Sequence, residues 1–383
     1  MNPDVLLDVL FVTATMTVIL SVALFTVKIL HRNHIRAKGV RRAHYIGALG
    51  EIVAHNSIPV HEIPGWQDDP VFFDALVDFL DIVTGDERNT LEQLVGKLDL
   101  RSKLANELEG TWLPDKRLRA LSNLVEIADP SLLDLFTVHL ADSVAEVRFQ
   151  AARGLARIGD PESVAAVLDL MESEDSWVAA RIGDVLVEFG EPAVPSLARY
   201  MLLSDHDARR DPNMLRVVIR SAGLIGDLGA EQALIAMLDS PEPLIRAGAA
   251  SALSRAGTPA SVPALILALD DSEWVVRARA ADALGTLSDE RAVEPLGKAL
   301  QDEAWWVRQD AAKALASHPV GERRLIEALS VGDPFARDAA LSQLGFGASE
   351  DGGQGQWSAG TAAANTHTGR QTSDSAMESD VMA

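Results

Sequence analysis

Two neighbouring stretches of this chain share one pattern: DSEWVVRARAADALGTLSDERAVEPLGKAL at residues 271–300 and DEAWWVRQDAAKALASHPVGERRLIEAL at residues 302–329. Each has an acidic residue, a Trp, a Val-Arg pair, a run of small residues, a turn and a second apolar run. Aligned on the arginine, the pattern recurs at intervals of 31, 31, 36, 31, 31, 31 and 29 residues. The aligned positions are Arg117, Arg148, Ala179, Leu215, Arg246, Arg277, Arg308 and Arg337. Self-similarity with such a period is typical of a solenoid.

Each repeat predicts a pair of helices. The second helix begins near the aligned arginine and has one apolar face, as in Val276, Ala280 and Leu287. A Gly, or in one copy a Pro, ends this helix. Pairs of small residues let neighbouring repeats approach closely: Ala151-Ala152, Ala249-Ala250, Ala280-Ala281 and Ala311-Ala312. The sequence therefore predicts an all-α solenoid of stacked helix pairs.

The pattern Asp-x(5)-Arg, followed by Ala-Ala-x-Ala-Leu-Gly-x-Leu-x-Asp, resembles the HEAT repeat, particularly the short variety named for phycobilisome lyases. The resemblance covers residues 99–345, about eight repeats. It implies an α-solenoid whose continuous surface binds other proteins. It also implies that the repeated arginines form a structural ladder with aspartates along the stack.

The ladder is predicted from three pairs with matching spacing: Asp142/Arg148, Asp271/Arg277 and Asp302/Arg308. We expect it to be interrupted at Ala179 and Leu215, where Arg181 and Arg216 lie nearby in sequence. The predicted ladder residues are Arg117, Arg148, Arg246, Arg277, Arg308 and Arg337.

Aromatic residues recur two or three positions before the aligned residue, in the turn between the two helices. A recurrent position predicts a recurrent environment, so the rings are expected along one edge of the solenoid. Either each ring fills its own turn, or the rings form an exposed ridge for a partner, since Trp is enriched at interface hot spots. The candidate partner-binding residues are Trp177, Trp274, Trp305, Trp306 and Phe335.

Charge and composition exclude several classes of function. The net charge is −22. Residues 1–42 hold six basic and two acidic side chains, a net charge of +4, so the remaining residues carry −26. An acidic body of this kind repels phosphate backbones, which argues against nucleic acid as a partner. The chain has no Cys, which excludes disulfides, thiolate metal sites and a Cys nucleophile.

The stretch from Val9 to Val27 has nineteen residues without a charge. As a helix it would span roughly 28 Å, close to the hydrocarbon thickness of a bilayer. Asp4 and Asp8 precede it and basic residues follow, the reverse of a cleaved signal peptide. We therefore expect a transmembrane helix at residues 9–30, with residues 1–8 outside the cell membrane and the solenoid in the cytoplasm.

Three further segments are predicted. Residues 31–98 are expected to form a basic juxtamembrane segment and a helical cap for the solenoid. Residues 346–383 are rich in Gly, Ser and Thr and are expected to be a disordered tail. An insertion at residues 202–213 is interpreted as a solvated loop. Its Asp205, His206, Asp207 and Asp211 could ligate a cation, although nothing in the sequence fixes their geometry.

These observations favour a membrane-tethered cytoplasmic scaffold or adaptor that binds a protein, expected to be membrane-associated, without catalysis, cofactor or metal. The alternative is an enzyme resembling the bilin lyases or metal hydroxylases built from HEAT repeats. Such hydroxylases carry several His-Glu pairs within the repeats, whereas this chain has one, His61-Glu62, outside them. A nucleic-acid binder resembling the HEAT-like alkylation-repair proteins would need a basic face, which the charge of the chain disfavours.

Overall fold

The structure is a computed structural model that describes residues 16, 25, 28, 36–58, 65–173, 176–204, 211–330 and 333–344. The predicted segments at residues 1–8 and 346–383, and residues 205–210 of the insertion, lie outside the described residues. Two compact units are present, Met1–Gly154 and Leu155–Ala383. Within the described residues, every regular element is a helix.

The first helix among the described stretches, α1, covers residues 36–55, and eighteen more α-helices follow it within the described residues. The others are α2 (Pro70–Ile82), α3 (Gly85–Lys97), α4 (Leu100–Glu109), α5 (Pro114–Glu126), α6 (Leu133–His139), α7 (Ala145–Ile158), α8 (Ser163–Ser173), α9 (Ser176–Phe189), α10 (Val194–Ser204), α11 (Pro212–Ile225), α12 (Glu231–Met237), α13 (Pro243–Ala256), α14 (Val262–Ala268), α15 (Trp274–Leu287), α16 (Val293–Ala299), α17 (Trp305–Ser317), α18 (Glu322–Ser330) and α19 (Pro334–Gln343). Short 3₁₀ turns precede several first helices, at Pro130–Leu132, Glu191–Ala193, Leu228–Ala230 and Glu290–Ala292, and another lies at Trp66–Asp68.

Helices α4 to α19 form eight successive pairs within the described residues. The second helix of each pair contains the aligned position of the repeat, from Arg117 in α5 to Arg337 in α19. The predicted all-α solenoid is therefore confirmed.

In the second unit, the second helices pack through alanine. The side chains of Ala249, Ala250, Ala280, Ala281, Ala311 and Ala312 are all fully buried. Helices α15 and α17 approach so closely that a Cβ atom on Gly285 would lie 2.7 Å from the Cβ of Ala314. Such contacts between small residues exclude water and contribute dispersion energy across the whole interface.

In two repeats, a residue in the left-handed conformation followed by an Asp ends one helix pair and begins the next. Gly226 has a φ of 71°, the left-handed conformation that favours glycine and closes α11. Asp227 then accepts a hydrogen bond from the backbone N–H of Gly229 at 2.8 Å. In another repeat Ser288 adopts the same conformation, with a φ of 51°, and Asp289 caps the next turn. This pair of residues therefore reverses the chain between helix pairs.

In the first unit, α1 and α2 enclose an aromatic cluster. The rings of Tyr45, Trp66 and Phe72 lie between 5.3 and 5.5 Å from one another, in tilted or edge-on arrangements. Phe72 and Leu76 of α2 are fully buried. The apolar face that the sequence predicts for this helix is therefore covered by α1 and the Trp66 turn.

The basic side chains of α1 face acidic residues in and just before α2. The ion pairs are Lys38–Asp74 at 2.8 Å, Arg41–Asp69 at 3.1 Å, and Arg42–Asp78. The four side chains of the first and last of these pairs are roughly half exposed, so each pair contributes at most about 1 kcal/mol. The basic side chains of α1 therefore form ion pairs with acidic residues of the same unit.

The predicted localisation requires correction. No helix within the described residues is both long and apolar enough to cross a membrane. The longest described helix, α1, carries five charged side chains at Arg36, Lys38, Arg41, Arg42 and Glu51, and burying them in hydrocarbon would be unfavourable. The expectation of a single-pass membrane protein, with its N-terminus outside and its solenoid in the cytoplasm, is contradicted by this finding. The expected span at residues 9–30 lies outside the described residues, except for Met16, Phe25 and Lys28.

Candidate functional site

The aligned arginines link one repeat to the next. Arg277 donates hydrogen bonds from Nε and Nη2 to the two carboxylate oxygens of Asp302, at 2.7 and 2.8 Å. The two residues are 25 positions apart, so the bond joins α15 to the turn before α17. The same bidentate pairing joins Arg246 to Asp271, at 2.7 and 2.8 Å, and Arg117 to Asp142, at 3.0 Å for both bonds.

A second contact of each arginine lies within its own repeat. Nη1 of Arg277 donates to the carbonyl of Asp271 at 2.9 Å, six residues earlier in the chain. Arg148 and Arg308 make the corresponding bonds to the carbonyls of Asp142 and Asp302, at 2.9 and 2.7 Å. The six-residue spacing seen in the sequence therefore corresponds to a bond with the backbone, while the carboxylate binds the arginine of the preceding repeat.

The ladder aspartates also bond within the turns that precede their helices. Asp271 accepts the backbone N–H of Glu273 at 2.9 Å, and Asp302 accepts that of Ala304 at 2.8 Å. Burial by itself would raise the pKa of Asp271. The hydrogen bonds from Arg246 and from the Glu273 N–H outweigh burial and hold the pKa below its usual value. The carboxylate is therefore ionised and fully engaged at neutral pH.

The remaining aligned positions differ. Leu215 is buried in α11, and Ala179 lies in α9. Arg308 places its guanidinium carbon 4.8 Å from the ring centroid of Phe335, a cation–π contact between successive repeats. Arg337 is exposed on α19.

The candidate aromatic residues fall into two groups. Trp274 is partly buried at the start of α15, and Trp177 lies in α9. In contrast, Trp305, Trp306 and Phe335 are 52%, 42% and 60% exposed. The rings of Trp305 and Trp306 meet edge to face, with centroids 4.6 Å apart. We call Trp305, Trp306 and Phe335 the aromatic edge.

One further exposed tryptophan is absent from the sequence-based candidates. Trp112, in the turn before α5, is 82% exposed. Its backbone carbonyl accepts a hydrogen bond from Nη1 of Arg117 at 2.8 Å. Trp112 lies five residues before the aligned arginine, so an alignment that searches two or three residues before that position does not find it. Its place in the Gly-Thr-Trp-Leu-Pro turn is the signal that could have identified it.

Within the described ranges, no group of three or more His, Asp or Glu side chains is arranged to hold a metal ion. Asp211, which the sequence suggested as a possible cation ligand, instead caps α11 by accepting the backbone N–H of Asn213 at 2.9 Å. Asp205, His206 and Asp207 lie outside the described residues.

The repeated helix pairs and their ladder define an α-solenoid repeat protein. Sequence profiles of the family described as HEAT repeats match residues 102–187, 138–211, 208–274 and 262–345. Together these matches cover more than half of the chain. The chain belongs to the HEAT-repeat family.

Several solved structures are similar to this chain at low identity. Human deoxyhypusine hydroxylase in complex with glycerol is 19% identical, with a TM-score of 0.29, and the match covers 66% of this chain and 98% of that one. The complex of CpcE and CpcF of phycocyanin lyase from Nostoc is 18% identical, with a TM-score of 0.30 and coverage of 64% and 94%. The karyopherin Kap121p bound to the SUMO protease Ulp1p is 13% identical, with a TM-score of 0.47. That match covers 72% of this chain and 36% of the karyopherin. Similarity at this level assigns no activity or partner to this chain.

Proposed function

We propose that this protein is a scaffold that binds another protein, and that the aromatic edge is its main contact surface. The supporting observation is the exposure of three large rings at two successive inter-helix turns, Trp305 and Trp306 at one and Phe335 at the next. Interfaces are enriched in Trp and other aromatic residues, and a few such side chains often supply most of the binding free energy.

The repeat does not need these rings for its own core. On α17, Val307, Ala311 and Leu315 are fully buried and fill the interior. Trp305 and Trp306 precede these residues and leave about half of their surface in water. Burying such apolar surface against a partner would be favourable by about 25 cal/mol per Å². The exposed rings are therefore better explained by binding than by folding.

Trp274 and Trp177 are included in the proposed surface because of their sequence position. They precede the aligned positions Arg277 and Ala179 by three and two residues, as Trp305 and Trp306 precede Arg308. We assign them a supporting role at the margin of the contact.

We infer that the ladder arginines act in stacking rather than in partner binding. Arg246 and Arg277 each donate to a carboxylate and to backbone carbonyls, and their side chains are 13% and 9% exposed. A partner could reach them only by displacing these bonds. The ladder inferred from the sequence comprises Arg117, Arg148, Arg246, Arg277, Arg308 and Arg337, of which Arg337 is exposed on α19. The proposed role requires no catalytic step and no cofactor.

The proposal is tested by crosslinking in cells, followed by affinity capture and quantitative mass spectrometry. We expect the wild-type chain to recover one dominant protein, and the double variant Trp305→Ala/Trp306→Ala to recover about tenfold less of it, because hot-spot truncation commonly costs 2 kcal/mol or more. Leu267→Ala is the control, since it removes an apolar side chain that is even more exposed from a first helix, α14.

Circular dichroism melting curves ensure that a loss of recovery does not reflect unfolding. Equal recovery by the wild type and the folded tryptophan variant would reject the aromatic edge as the contact surface. An equal loss in Leu267→Ala would show that the effect is not specific to the edge.

A further inference from the structure

In the second unit, two ladder arginines on second helices bond to acidic residues in the inter-helix turns of the next repeat. Arg246 and Arg277 lie in the ladder, each bonded to an aspartate of the next repeat. One pair of charges is therefore neutralised inside each of these junctions.

The same turns carry a second acidic residue that faces solvent. These residues are Glu242, Glu273 and Glu303, and all three are exposed. The Glu303 side chain is 89% exposed, and its Oε1 lies 3.6 Å from Nη2 of Arg277, which already holds Asp302 in a bidentate bond. Surface pairs of this kind are weak. The turns therefore present exposed carboxylates to solvent, beside ladder arginines that are largely buried.

One ring of the aromatic edge already contacts a cation within the chain. Arg308 stacks its guanidinium 4.8 Å from the centre of the Phe335 ring. Trp305 and Trp306 present larger rings at the preceding inter-helix turn. Among the side chains of Phe, Tyr and Trp, the indole of Trp binds a cation best. Glu303 lies two residues before Trp305 in the same turn, and its side chain is exposed.

We propose that the partner presents a cationic segment, rich in arginine or lysine, to the tryptophans of the aromatic edge and to the glutamates beside them. This inference rests on the proposed function and names the chemistry of the partner. Arg337 and Asp338, which follow Phe335 on α19, are both exposed and offset one another in charge. An anionic partner would meet repulsion from the acidic turns, whereas a cationic one gains from both the rings and the carboxylates.

The experiment measures fluorescence anisotropy of a labelled peptide with alternating arginine and serine, titrated with the full chain. A twin peptide with citrulline in place of arginine keeps the shape and removes the charge. We expect the arginine peptide to bind at least about tenfold more tightly than its twin. Trp305→Leu/Trp306→Leu should weaken arginine-peptide binding about tenfold, although this change leaves the net charge of the protein unaltered.

Two further variants test the contribution of the glutamates and the specificity of the effect. Glu303→Gln/Glu273→Gln, at exposed positions where folding is not at risk, should weaken binding and reduce its salt dependence. Leu267→Ala should bind as the wild type does. Equal binding of the arginine peptide by the wild type and the tryptophan variant would overturn the proposal, since attraction to the acidic body would then be unspecific. Tight binding of both peptides would overturn it as well.

The outcome separates this inference from the proposed function. If the tryptophan variant loses its cellular partner but the wild type does not prefer the arginine peptide, the scaffold role stands and the cationic chemistry is wrong. If the tryptophan variant changes the oligomeric state in light scattering, the occupant of the edge is a second copy of the chain, and the cationic segment is rejected.

Discussion

Asp310 is an acidic side chain whose surroundings oppose its charge. It lies on α17, where burial and the nearby carboxylate of Asp282 on α15 raise its pKa to about 6. Arg279 and Lys313 act in the opposite direction, but Lys313 is bonded to Asp282 at 3.0 Å. Asp310 therefore weakens the fold when it is ionised.

The variant Asp310→Asn should be more stable than the wild type at about pH 7. The pKa of Asp310 is higher in the folded than in the unfolded chain, so the folded state loses stability as the pH rises from about 4 through 6. Allowing for solvent screening at this partly exposed site, we expect a gain of about 1 kcal/mol that disappears near pH 4. Urea unfolding at both pH values measures it.

Asp338→Asn is the control for this prediction, because Asp338 is exposed on α19. It should change the free energy of unfolding little at either pH. An Asp310→Asn variant no more stable than the wild type at about pH 7 would contradict the predicted penalty.

At the scale of the helix, stacking depends on how closely backbones approach. Gly285 and Gly248 both lie in second helices, α15 and α13. A Cβ at position 285 would meet Ala314 at 2.7 Å from its Cβ and 2.8 Å from its Cα, which cannot yield without a shift of α17. At position 248 the nearest atom is a methyl group of Ile219, at the ordinary distance of 3.5 Å.

The same substitution should therefore have opposite effects at these two sites. Gly285→Ala should destabilise the protein by about 1 kcal/mol, because overpacking exceeds the gain in helix propensity. Gly248→Ala should stabilise it by about 0.5 kcal/mol, because only the propensity changes. Thermal unfolding of the two variants measures the difference. Equal effects would mean that the close contact between α15 and α17 yields freely.

The helices themselves were largely predictable. The period of 31 residues, the paired alanines and the Gly-Asp breaks identify the helix pairs, because each has a local physical cause. The partners across the stack were harder to assign. Sequence spacing associates Asp302 with Arg308, whereas its carboxylate binds Arg277, because the turn faces the preceding repeat.

The exposure of the aromatic residues could not be predicted from position alone. Trp274 and Trp305 occupy the same place in consecutive repeats, but Trp274 is partly buried and Trp305 is 52% exposed. Exposure depends on the neighbouring repeat, which differs in each case. Trp112 was not among the sequence-based candidates, because it lies five residues before the aligned arginine rather than two or three. The membrane localisation was wrong: it was drawn from local hydropathy alone, and no helix within the described residues is long and apolar enough to cross a membrane.

At the scale of the molecule, the stability of each repeat in a solenoid depends on its contacts with the adjacent repeats. Each repeat contacts mainly the next, so a local loss should decay along the array. The Arg277–Asp302 bond is a contact of this kind between two repeats of the second unit.

The variant Asp302→Ala should open the structure locally. It removes two charge-assisted bonds from a buried guanidinium and the bond that Asp302 accepts from the Ala304 N–H, for a loss of about 2 to 3 kcal/mol. Native-state hydrogen exchange should accelerate most in α15–α19 and less in α9–α11. Glu303→Ala, one residue away and 89% exposed, is the control and should change exchange little. Uniform acceleration through the second unit would contradict nearest-neighbour behaviour.

The bidentate bonds also limit where the chain can change in length. Each observed bond joins residues 25 positions apart, so an insertion between them would move the carboxylate away from the arginine. The long interval of 36 residues begins at Ala179, and the short one of 29 begins at Arg308, which rests on Phe335. The two intervals that differ from 31 residues therefore begin at aligned positions for which the described residues show no bidentate bond to an aspartate. The junctions that carry a bidentate bond are accordingly where an added peptide tag or fused domain should be tolerated least.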